Sequence, residues 1–165
     1  MTTTSNTAAK YPRSVIAGPY GHPFHPALVT LPIGAWVTSV VLDIVSLATD
    51  NSALAEASRW VIGIGIVGAL IAAVFGLLDL SRIPRDTRAF RTGAIHAVLN
   101  VIAVVLFAAS LWSRTGDEDS VPTVGLVLSL IGLAVIGASG WLGGELAYRY
   151  GVRVADEETQ AHGYR

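Results

Sequence analysis

Four long apolar runs separated by shorter polar stretches dominate the pattern of the chain. They cover Ala27–Ala48, Trp60–Leu80, Ile95–Trp112 and Val124–Tyr148. A bilayer core of about 30 Å requires roughly 20 apolar helical residues, and each run meets or approaches that length. Because backbone polar groups must be satisfied internally in lipid, the runs predict α-helices. We therefore expect an all-α integral membrane four-helix bundle, up-down-up-down, with helices at about 27–48, 60–80, 92–112 and 122–148.

The polar stretches between and around the runs set the expected domain bounds. Residues 1–19 predict a disordered or interfacial N-terminal segment, 20–154 the transmembrane domain, and 155–165 a polar C-terminal tail. Residues 11–26 hold four of the seven prolines, which predicts an extended or turning segment rather than a continuous helix. The acidic stretch at 117–119 predicts a solvated loop.

Composition supports a membrane protein and excludes several classes of function. The chain is 52% hydrophobic and 14% charged, whereas about a quarter of the residues of a soluble domain are charged. The net charge of −1 gives no reason to invoke nucleic acid, and the lack of cysteine excludes disulfides, thiolate ligands and the usual iron–sulfur clusters. Since neither a nucleophile elbow nor a phosphate-cradling glycine loop is present, the residues favour a non-enzymatic role.

The distribution of basic residues predicts an orientation. Nine of the eleven Lys and Arg residues fall on one side of the expected bundle, which leaves only Arg59 and Arg114 on the other. Cytoplasmic loops carry the excess of Lys and Arg, so both termini should face the cytoplasm. This pattern indicates a multi-pass membrane protein, with the lipid bilayer as its main partner.

Small residues recur at helical spacing and predict packing faces. Gly68, Ala72 and Gly76 form one such stripe, and Gly137, Gly140 and Gly144 form a comparable one in the fourth run. Small side chains let membrane helices approach closely. Internal packing is the favoured use of these stripes, and a homodimer through the glycine-rich faces is the alternative.

A short internal repeat relates the first two runs to the last two. His25–Leu28 begins the first pair of helices and His96–Leu99 the second, while Asp79–Arg82 and Glu145–Arg149 end them. Two such helix pairs of the same orientation are related by an axis along the membrane normal. The repeat therefore predicts that His25 and His96 face one another across that axis.

Polar residues from distant parts of the sequence should meet near one membrane face. They are His22, His25, Asp79, His96 and Asn100. Intramembrane ionisable groups are costly and usually face the bundle interior, so they are functional candidates. One interpretation is structural: the histidines cap helix ends or hydrogen-bond across the bundle, and the two acidic groups, Asp79 and Glu145, pair with the arginine-rich loop at 82–91.

Two further interpretations involve a cofactor. Haem b is bound axially by imidazoles, which His96 and either His25 or His22 could supply, while Arg82, Arg85 or Arg91 could pair with its propionates. Zinc is the alternative, bound by His25, His96 and Asp79. Between the two cofactors, the apolar bundle with two symmetric histidines favours haem over zinc. An accessory membrane protein without cofactor and a small transporter remain as alternatives.

Asp43 lies deep in the first run, on one face with Pro32, Trp36 and Ser39. A proton relay would need a second charged residue at that depth, and the sequence pattern shows none. A hydrogen-bonded structural carboxyl is therefore the favoured interpretation.

These residues also carry a family resemblance. The segment Gly21–Gly34, with Asp43, resembles the opening of the domain-of-unknown-function 2231 family, and the agreement continues through Gly76–Asp79, Gly93–Ala97 and Gly143–Val152. The resemblance covers nearly the whole chain from Tyr20 to Val154. It implies a four-helix protein of the bacterial plasma (inner) membrane without an assigned activity. Some relatives resemble fusions to a Rieske domain, which implies a redox setting and favours haem. This chain has no such domain, so an electron-transfer role would need a redox partner protein.

Overall fold

The computed structural model describes residues 8–12, 15, 18, 22–116 and 120–164, and within these ranges the chain is helical without strands. Short and long helices follow one another along the chain, and the last long helix ends in a π-helical turn at Glu145–Arg149. The helices are α1 Phe24–Leu28, α2 Thr30–Thr49, α3 Ser52–Leu80, α4 Arg88–Trp112, α5 Thr123–Gly144 and α6 Glu157–His162.

Four stretches of helix within the described residues are long and apolar enough to cross a membrane. They are Phe24–Thr49, Ser52–Leu80, Arg88–Trp112 and Thr123–Arg149. Their outward side chains are largely apolar; Leu70, Val74, Val101 and Val105 are each more than half exposed. A four-helix fold that presents apolar side chains outward suits lipid rather than water. The predicted all-α membrane fold is confirmed.

Helix α3 begins eight residues before the predicted start. The Asn51 side chain accepts a hydrogen bond from the Ala53 backbone N–H at 3.1 Å and so caps the helix. Asp50 ends α2 in the left-handed region at φ 52°. The connection between α2 and α3 is therefore only Asp50–Asn51, much shorter than the stretch of roughly a dozen residues that the apolar runs alone suggested.

The N-terminal region is also more ordered than predicted where the structure describes it. Residues 8–10 are helical and Ala9 is buried, so this part of the expected disordered segment packs against the rest of the chain. The first membrane helix starts at Phe24, with Pro26 in its first turn, where a proline is tolerated. The acidic stretch at 117–119 and residues 1–7 lie outside the described residues.

The four long helices pack as two helical hairpins. Helices α2 and α3 form the first and α4 and α5 the second, and contacts within each hairpin are more extensive than contacts between them. The core between the hairpins contains Trp36 and Phe107, whose rings stack with centroids 4.2 Å apart and planes 6° apart. The ends of the bundle differ, because the end that holds the 81–87 connection also holds both terminal segments; we call it the terminal end.

The two hairpins repeat each other in register. Residues of α1–α2 correspond to residues of α4 that lie 71 positions later, and residues of α3 correspond to residues of α5 that lie 67 positions later. The corresponding pairs are His25 and His96, Trp36 and Phe107, Ser39 and Ser110, Asp43 and Arg114, Gly65 and Gly132, and Gly76 and Gly143.

Several of these equivalent residues touch each other. His25 contacts His96, Trp36 contacts Phe107 and Asp43 contacts Arg114, at three levels along the bundle. In a two-fold arrangement a residue meets its own equivalent only at the axis. The hairpins are therefore related by a pseudo-two-fold axis that runs along the bundle, as expected for parallel repeats. Asp79 and Glu145 do not share this register, since the 67-residue spacing pairs Asp79 with Leu146.

The glycine stripe of α3 lies in helix–helix contacts, whereas part of the glycine stripe of α5 is exposed. Gly65 and Gly68 are buried; a Cβ on Gly65 would lie 2.4 Å from Trp36 Nε1, and one on Gly68 would lie 2.9 Å from Leu31. In α5, by contrast, Gly137 and Gly140 are exposed with open space around them. The predicted internal use of the α5 stripe is therefore wrong. Helix α5 packs instead through Gly125, Ser129, Gly132 and Ser139.

Candidate functional site: a histidine pair on the pseudo-two-fold axis

The two membrane histidines meet at the terminal end of the bundle. His25 lies in α1 and His96 in the second turn after the start of α4, and each is half-buried. Their ring centroids are 6.2 Å apart and their planes are nearly perpendicular, at 89°. The pseudo-two-fold axis therefore brings together two side chains that lie far apart in the sequence.

Each histidine is held by the second helix of its own hairpin. His25 Nδ1 donates to the Ala72 carbonyl at 2.9 Å, and His96 Nδ1 donates to the Ser139 carbonyl at 2.8 Å. Because a carbonyl oxygen only accepts, these bonds assign the proton to Nδ1. Nε2 of each ring then carries the lone pair and is the nitrogen able to bind a metal.

Two equivalent glycines make room for the two rings. A Cβ on Gly76 would lie 2.9 Å from His25 Cε1, and a Cβ on Gly143 would lie 3.3 Å from His96 Cε1. Both glycines have ordinary helical backbones, so close approach, rather than conformational freedom, explains why a side chain is disfavoured there. Each hairpin thus supplies a matching cradle: one carbonyl and, one turn later, one glycine.

The two halves of the site differ at Asn100. Its Nδ2 donates to the His96 carbonyl and to Ser139 Oγ, each at 2.8 Å, and lies 3.2 Å from His96 Nε2. The equivalent position in the first hairpin is Val29, which has no polar side chain. The His96 ring is therefore held by more hydrogen bonds than the His25 ring.

The acidic candidates do not join the histidines. Asp79 is buried and pairs with Arg153 of the C-terminal segment, at 3.1 Å from Oδ1 to Nε. Glu145 pairs with Arg149 one turn later and accepts from Tyr150. The expected pairing of both acids with the arginine-rich loop is therefore wrong, because Arg153 folds back onto Asp79 and Arg149 of the same helical turn pairs with Glu145.

The residues proposed for zinc are consequently not assembled. Asp79 is engaged by Arg153, and the described ranges contain no group of three or more His, Cys, Asp or Glu that could hold a metal ion. Structural zinc sites use four ligands and catalytic ones three. The structure thus brings His25 and His96 together and leaves Asp79 outside the pair.

The other sequence candidates surround this end of the bundle. His22 is exposed just before α1, and Arg91 is exposed one turn before His96. Arg82 is half-buried and its Nε donates to the Ala8 carbonyl at 3.3 Å. These arginines lie at the same end as the histidines, and Arg82 also ties the N-terminal segment to the bundle.

The terminal segments bind each other over the terminal end. The Arg153 backbone N–H donates to the Ala9 carbonyl at 3.0 Å, and the Tyr11 hydroxyl donates to the Asp156 carboxylate. That hydrogen bond and the one from the Thr159 backbone N–H lower the pKa of Asp156 to about 2. The hydrogen bond to Asp156, together with the negative charge of that carboxylate, raises the pKa of Tyr11 above its usual value. The two segments form a cover that we call the terminal strap, residues 8–11 and 150–156.

A second polar centre lies at the opposite end of the bundle, and the sequence pattern did not reveal it. Arg114 follows α4 and turns inward, where its two terminal nitrogens donate to the two Asp43 oxygens at 2.7 and 2.6 Å. Both side chains are almost completely buried. Asp43 is a structural carboxyl as expected, but it is paired. The 71-residue repeat was the one signal able to find Arg114, because it matches Asp43.

Comparison with known proteins agrees with this architecture. The family model described as Predicted membrane protein (DUF2231) matches residues 21–156. No curated protein and no solved structure matches the chain. The matched region contains both histidines, the cradle glycines, the Asp43–Arg114 pair and all four membrane-spanning stretches. The chain therefore belongs to the DUF2231 family of predicted membrane proteins.

Proposed function

We propose that this protein is a haem b-binding subunit of a redox system in the bacterial plasma membrane, with His25 and His96 as the axial ligands. The observation that carries the proposal is the pair of imidazoles on the pseudo-two-fold axis, 6.2 Å apart between ring centroids. An imidazole nitrogen lies about 2 Å from a metal it binds. Two imidazoles this close would both be within reach of a single metal, which their Nε2 atoms would hold.

The surroundings of each ring support ligation. A metal-binding histidine usually donates its other ring nitrogen to a carbonyl or carboxylate, which fixes the ring and raises its basicity. The Ala72 and Ser139 carbonyls do this for His25 and His96. The Asn100 amide competes for His96 Nε2, and it keeps two shorter bonds if that contact is lost.

The position of the pair suits a flat, nearly symmetric and largely apolar ligand. The pair lies between the hairpins, where helix contacts are less extensive than inside each hairpin, and each hairpin supplies one of the two rings. Entry of a porphyrin would require the hairpins to separate at this end, where the 81–87 connection joins them. Arg82 and Arg91 lie at the same end and would pair with its propionates.

Bound haem would supply a one-electron couple at the terminal face of the membrane. The chain contains no cysteine, so a partner protein would carry any iron–sulfur centre of the usual kind. His25 and His96 would set the potential through their carbonyl-bonded Nδ1 groups, since hydrogen bonding to an axial imidazole is one of the means by which a protein tunes haem iron.

The test is the visible absorption spectrum of detergent-purified protein, produced with adequate haem supply, before and after dithionite. We expect a strong Soret band that shifts on reduction and is lost or altered in His25→Ala and in His96→Ala. His162→Ala, on exposed helix α6, and His22→Ala, on the exposed segment before α1, are the matched controls and should leave the band unchanged. Protein that carries no haem and cannot be reconstituted with it would contradict the proposal.

A structural role is the second candidate, and a specific observation favours it. Each histidine joins the two helices of its hairpin through a hydrogen bond that needs no cofactor. In that role each imidazole stabilises the packing of the two helices in its own hairpin, and the protein is an accessory membrane protein. His96→Asn separates the two functions, because an asparagine amide can still donate to a carbonyl but does not serve as a haem ligand. A structural role predicts near-normal thermal stability for this variant, and the haem proposal predicts a lost or altered Soret band.

A further inference from the structure

Three pairs of equivalent residues among those that the structure describes meet across the pseudo-two-fold axis, and two of these pairs are alike. Histidine meets histidine at 25 and 96, and aromatic meets aromatic at 36 and 107. The third pair is unlike, because Asp43 meets Arg114. Charge at this third level is therefore the feature that most clearly distinguishes one hairpin from the other at their interface.

The geometry of the unlike pair makes this distinction strong. Arg114 donates to both Asp43 oxygens at 2.6 and 2.7 Å, in a bidentate arrangement. The side chains are 2% and 0% exposed, so water does not screen the charges. Ser58 and Ser110 hydroxyls lie 3.4 Å from the guanidinium and surround it with polar atoms from both hairpins.

If the first hairpin of one copy paired with the first hairpin of another, like charges would meet where opposite charges meet within one chain. The same holds for two second hairpins, and we call either case the pairing of like halves. First hairpins that paired with each other would bring two Asp43 carboxylates together, and second hairpins would bring two Arg114 guanidiniums together. A buried charge without a partner of opposite sign is strongly destabilising. The histidine and aromatic levels would oppose such pairing far less, since like residues already meet there.

The order of synthesis gives like halves an opportunity to meet. The first hairpin ends at Leu80, and the second requires residues up to about 149. At ~5–20 residues per second, several seconds pass between completion of the two hairpins. During that time the inner face of the first hairpin lies in the membrane without its natural partner.

We propose that the Asp43–Arg114 pair selects the partner of each hairpin: the inner face of the first hairpin accepts a hairpin with a cation at position 114 and rejects the like half of a second copy. The pair thus directs the two halves of one chain to each other. A single buried polar group that specifies register and partner is a known use of such groups in helical assemblies.

The experiment uses two full-length copies with different affinity tags, coexpressed and extracted in detergent. The fraction of the second tag recovered with the first measures exchange of hairpins between chains. Recovery from wild-type protein sets the background for the variants, and it includes any association of intact chains through the exposed glycine-rich face of α5. Asp43→Leu/Arg114→Met removes both charges, and we expect recovery to rise about tenfold or more, because an unpaired buried charge is worth more than one tenfold step in an equilibrium constant.

Two further arms test whether unlike charge is what matters. The reversed double variant Asp43→Arg/Arg114→Asp should behave as wild type, since its halves again carry opposite charges. Coexpressed Asp43→Arg and Arg114→Asp chains should copurify about tenfold above background, because exchange of hairpins restores both pairs. Glu56→Gln/Arg88→Gln, which removes one exposed charge of each sign, is the control and should stay at background.

Well-folded Asp43→Leu/Arg114→Met protein that stays at wild-type background would overturn the proposal. If that variant is not recovered, the coexpressed single variants decide the question alone. Their joint recovery would support the proposal, and recovery of neither chain with the other would overturn it.

Discussion

The two cradle glycines are the individual positions where the structure most narrowly limits which residue the sequence can hold. Gly76 and Gly143 each face a histidine ring, and a Cβ at Gly76 would lie within 3.0 Å of two His25 atoms. Gly140 is helical as well but has open space around it. The same substitution therefore has opposite consequences at Gly76 and at Gly140.

We expect Gly76→Ala to lower the free energy of unfolding by about 1–3 kcal/mol, because an added methyl in a packed site forces the ring or the backbone to move. Gly140→Ala should be neutral or stabilising by up to about 1 kcal/mol, since alanine favours a helix over glycine. Thermal unfolding of both variants in the same detergent is the measurement. Equal transition temperatures would show that the His25 ring does not depend on the space at Gly76.

The hydrogen bond between Tyr11 and Asp156 should stabilise the terminal strap only within a certain pH range. The pKa of Asp156 is lowered from 3.8 to about 2, so its contribution is complete above pH 3.8 and is lost as the pH falls through about 2. The pKa of Tyr11 is raised above 10.0, so its contribution is complete below that value and is lost as the pH rises through the raised pKa.

Tyr11→Phe removes the hydroxyl donor, and the pKa of Asp156 should then move up towards 3.8. The backbone N–H of Thr159 still donates to the carboxylate and keeps the value below 3.8. NMR titration of carboxyl-labelled aspartate would report the change. An unchanged pKa in Tyr11→Phe would mean that the two segments are not joined through this hydrogen bond in solution.

The apolar runs predicted the four long helices and the residues where they end, to within one residue, but they did not predict where α3 begins. Residues 52–59 are polar enough to fall outside an apolar run, yet they continue α3 because Asn51 caps the helix and Ala, Leu and Glu favour it. The fourth helix was predicted to end at 148 and ends at Arg149, but the apolar pattern gave no signal that its last turn is π-helical. Capping and local helix preference, rather than hydropathy, decide where α3 begins.

The candidate site followed from the sequence in part. The match between His25 and His96 was visible and correctly predicted that the rings face one another. The partners of Asp79 and Asp43 were not, since Arg153 and Arg114 lie in segments that read as polar loops. The long side chain of an arginine outside the membrane helices can extend into the bundle and place its guanidinium there. A hydropathy pattern assigns such a residue to a polar loop and does not predict its buried partner.

The buried pair between hairpins also makes a prediction about stability. Asp43→Asn leaves the Arg114 guanidinium buried without a counter-charge, and we expect the loss to be about 3–5 kcal/mol in the free energy of unfolding. The exposed Glu56 of α3 is the control, and Glu56→Gln should change stability by less than about 0.5 kcal/mol. Denaturant titration in mixed micelles measures both. A loss below about 1 kcal/mol for Asp43→Asn would show that the pair does not join the hairpins.

For the molecule as a whole, the excess of basic residues at the terminal end predicts that this end faces the cytoplasm. Reporter fusions after Arg88 should be cytoplasmic, and fusions after Ser52 and Gly116 should be external, because Lys and Arg are retained on the cytoplasmic side. The structure sharpens the asymmetry, since Arg114 is buried with Asp43 and adds no charge to the opposite surface. An external reporter after Arg88 would invert the assignment and move the histidine pair to the outer face.

The length of α3 has a consequence for the kind of bilayer that this protein suits. Its 29 residues span about 43 Å, whereas a hydrocarbon core is about 30 Å thick. The charged residues Glu56 and Arg59 lie in the first eight residues of α3, which extend about 12 Å beyond the core and bring Trp60, 64% exposed, to its edge.

The depth of Trp60 therefore reports the hydrophobic thickness of the bilayer. In a Trp112→Phe/Trp141→Phe variant, brominated lipids should quench the fluorescence of exposed Trp60 most strongly when the bromines lie near the headgroups. Thicker bilayers should draw the indole deeper, because a longer core favours burial of more of α3.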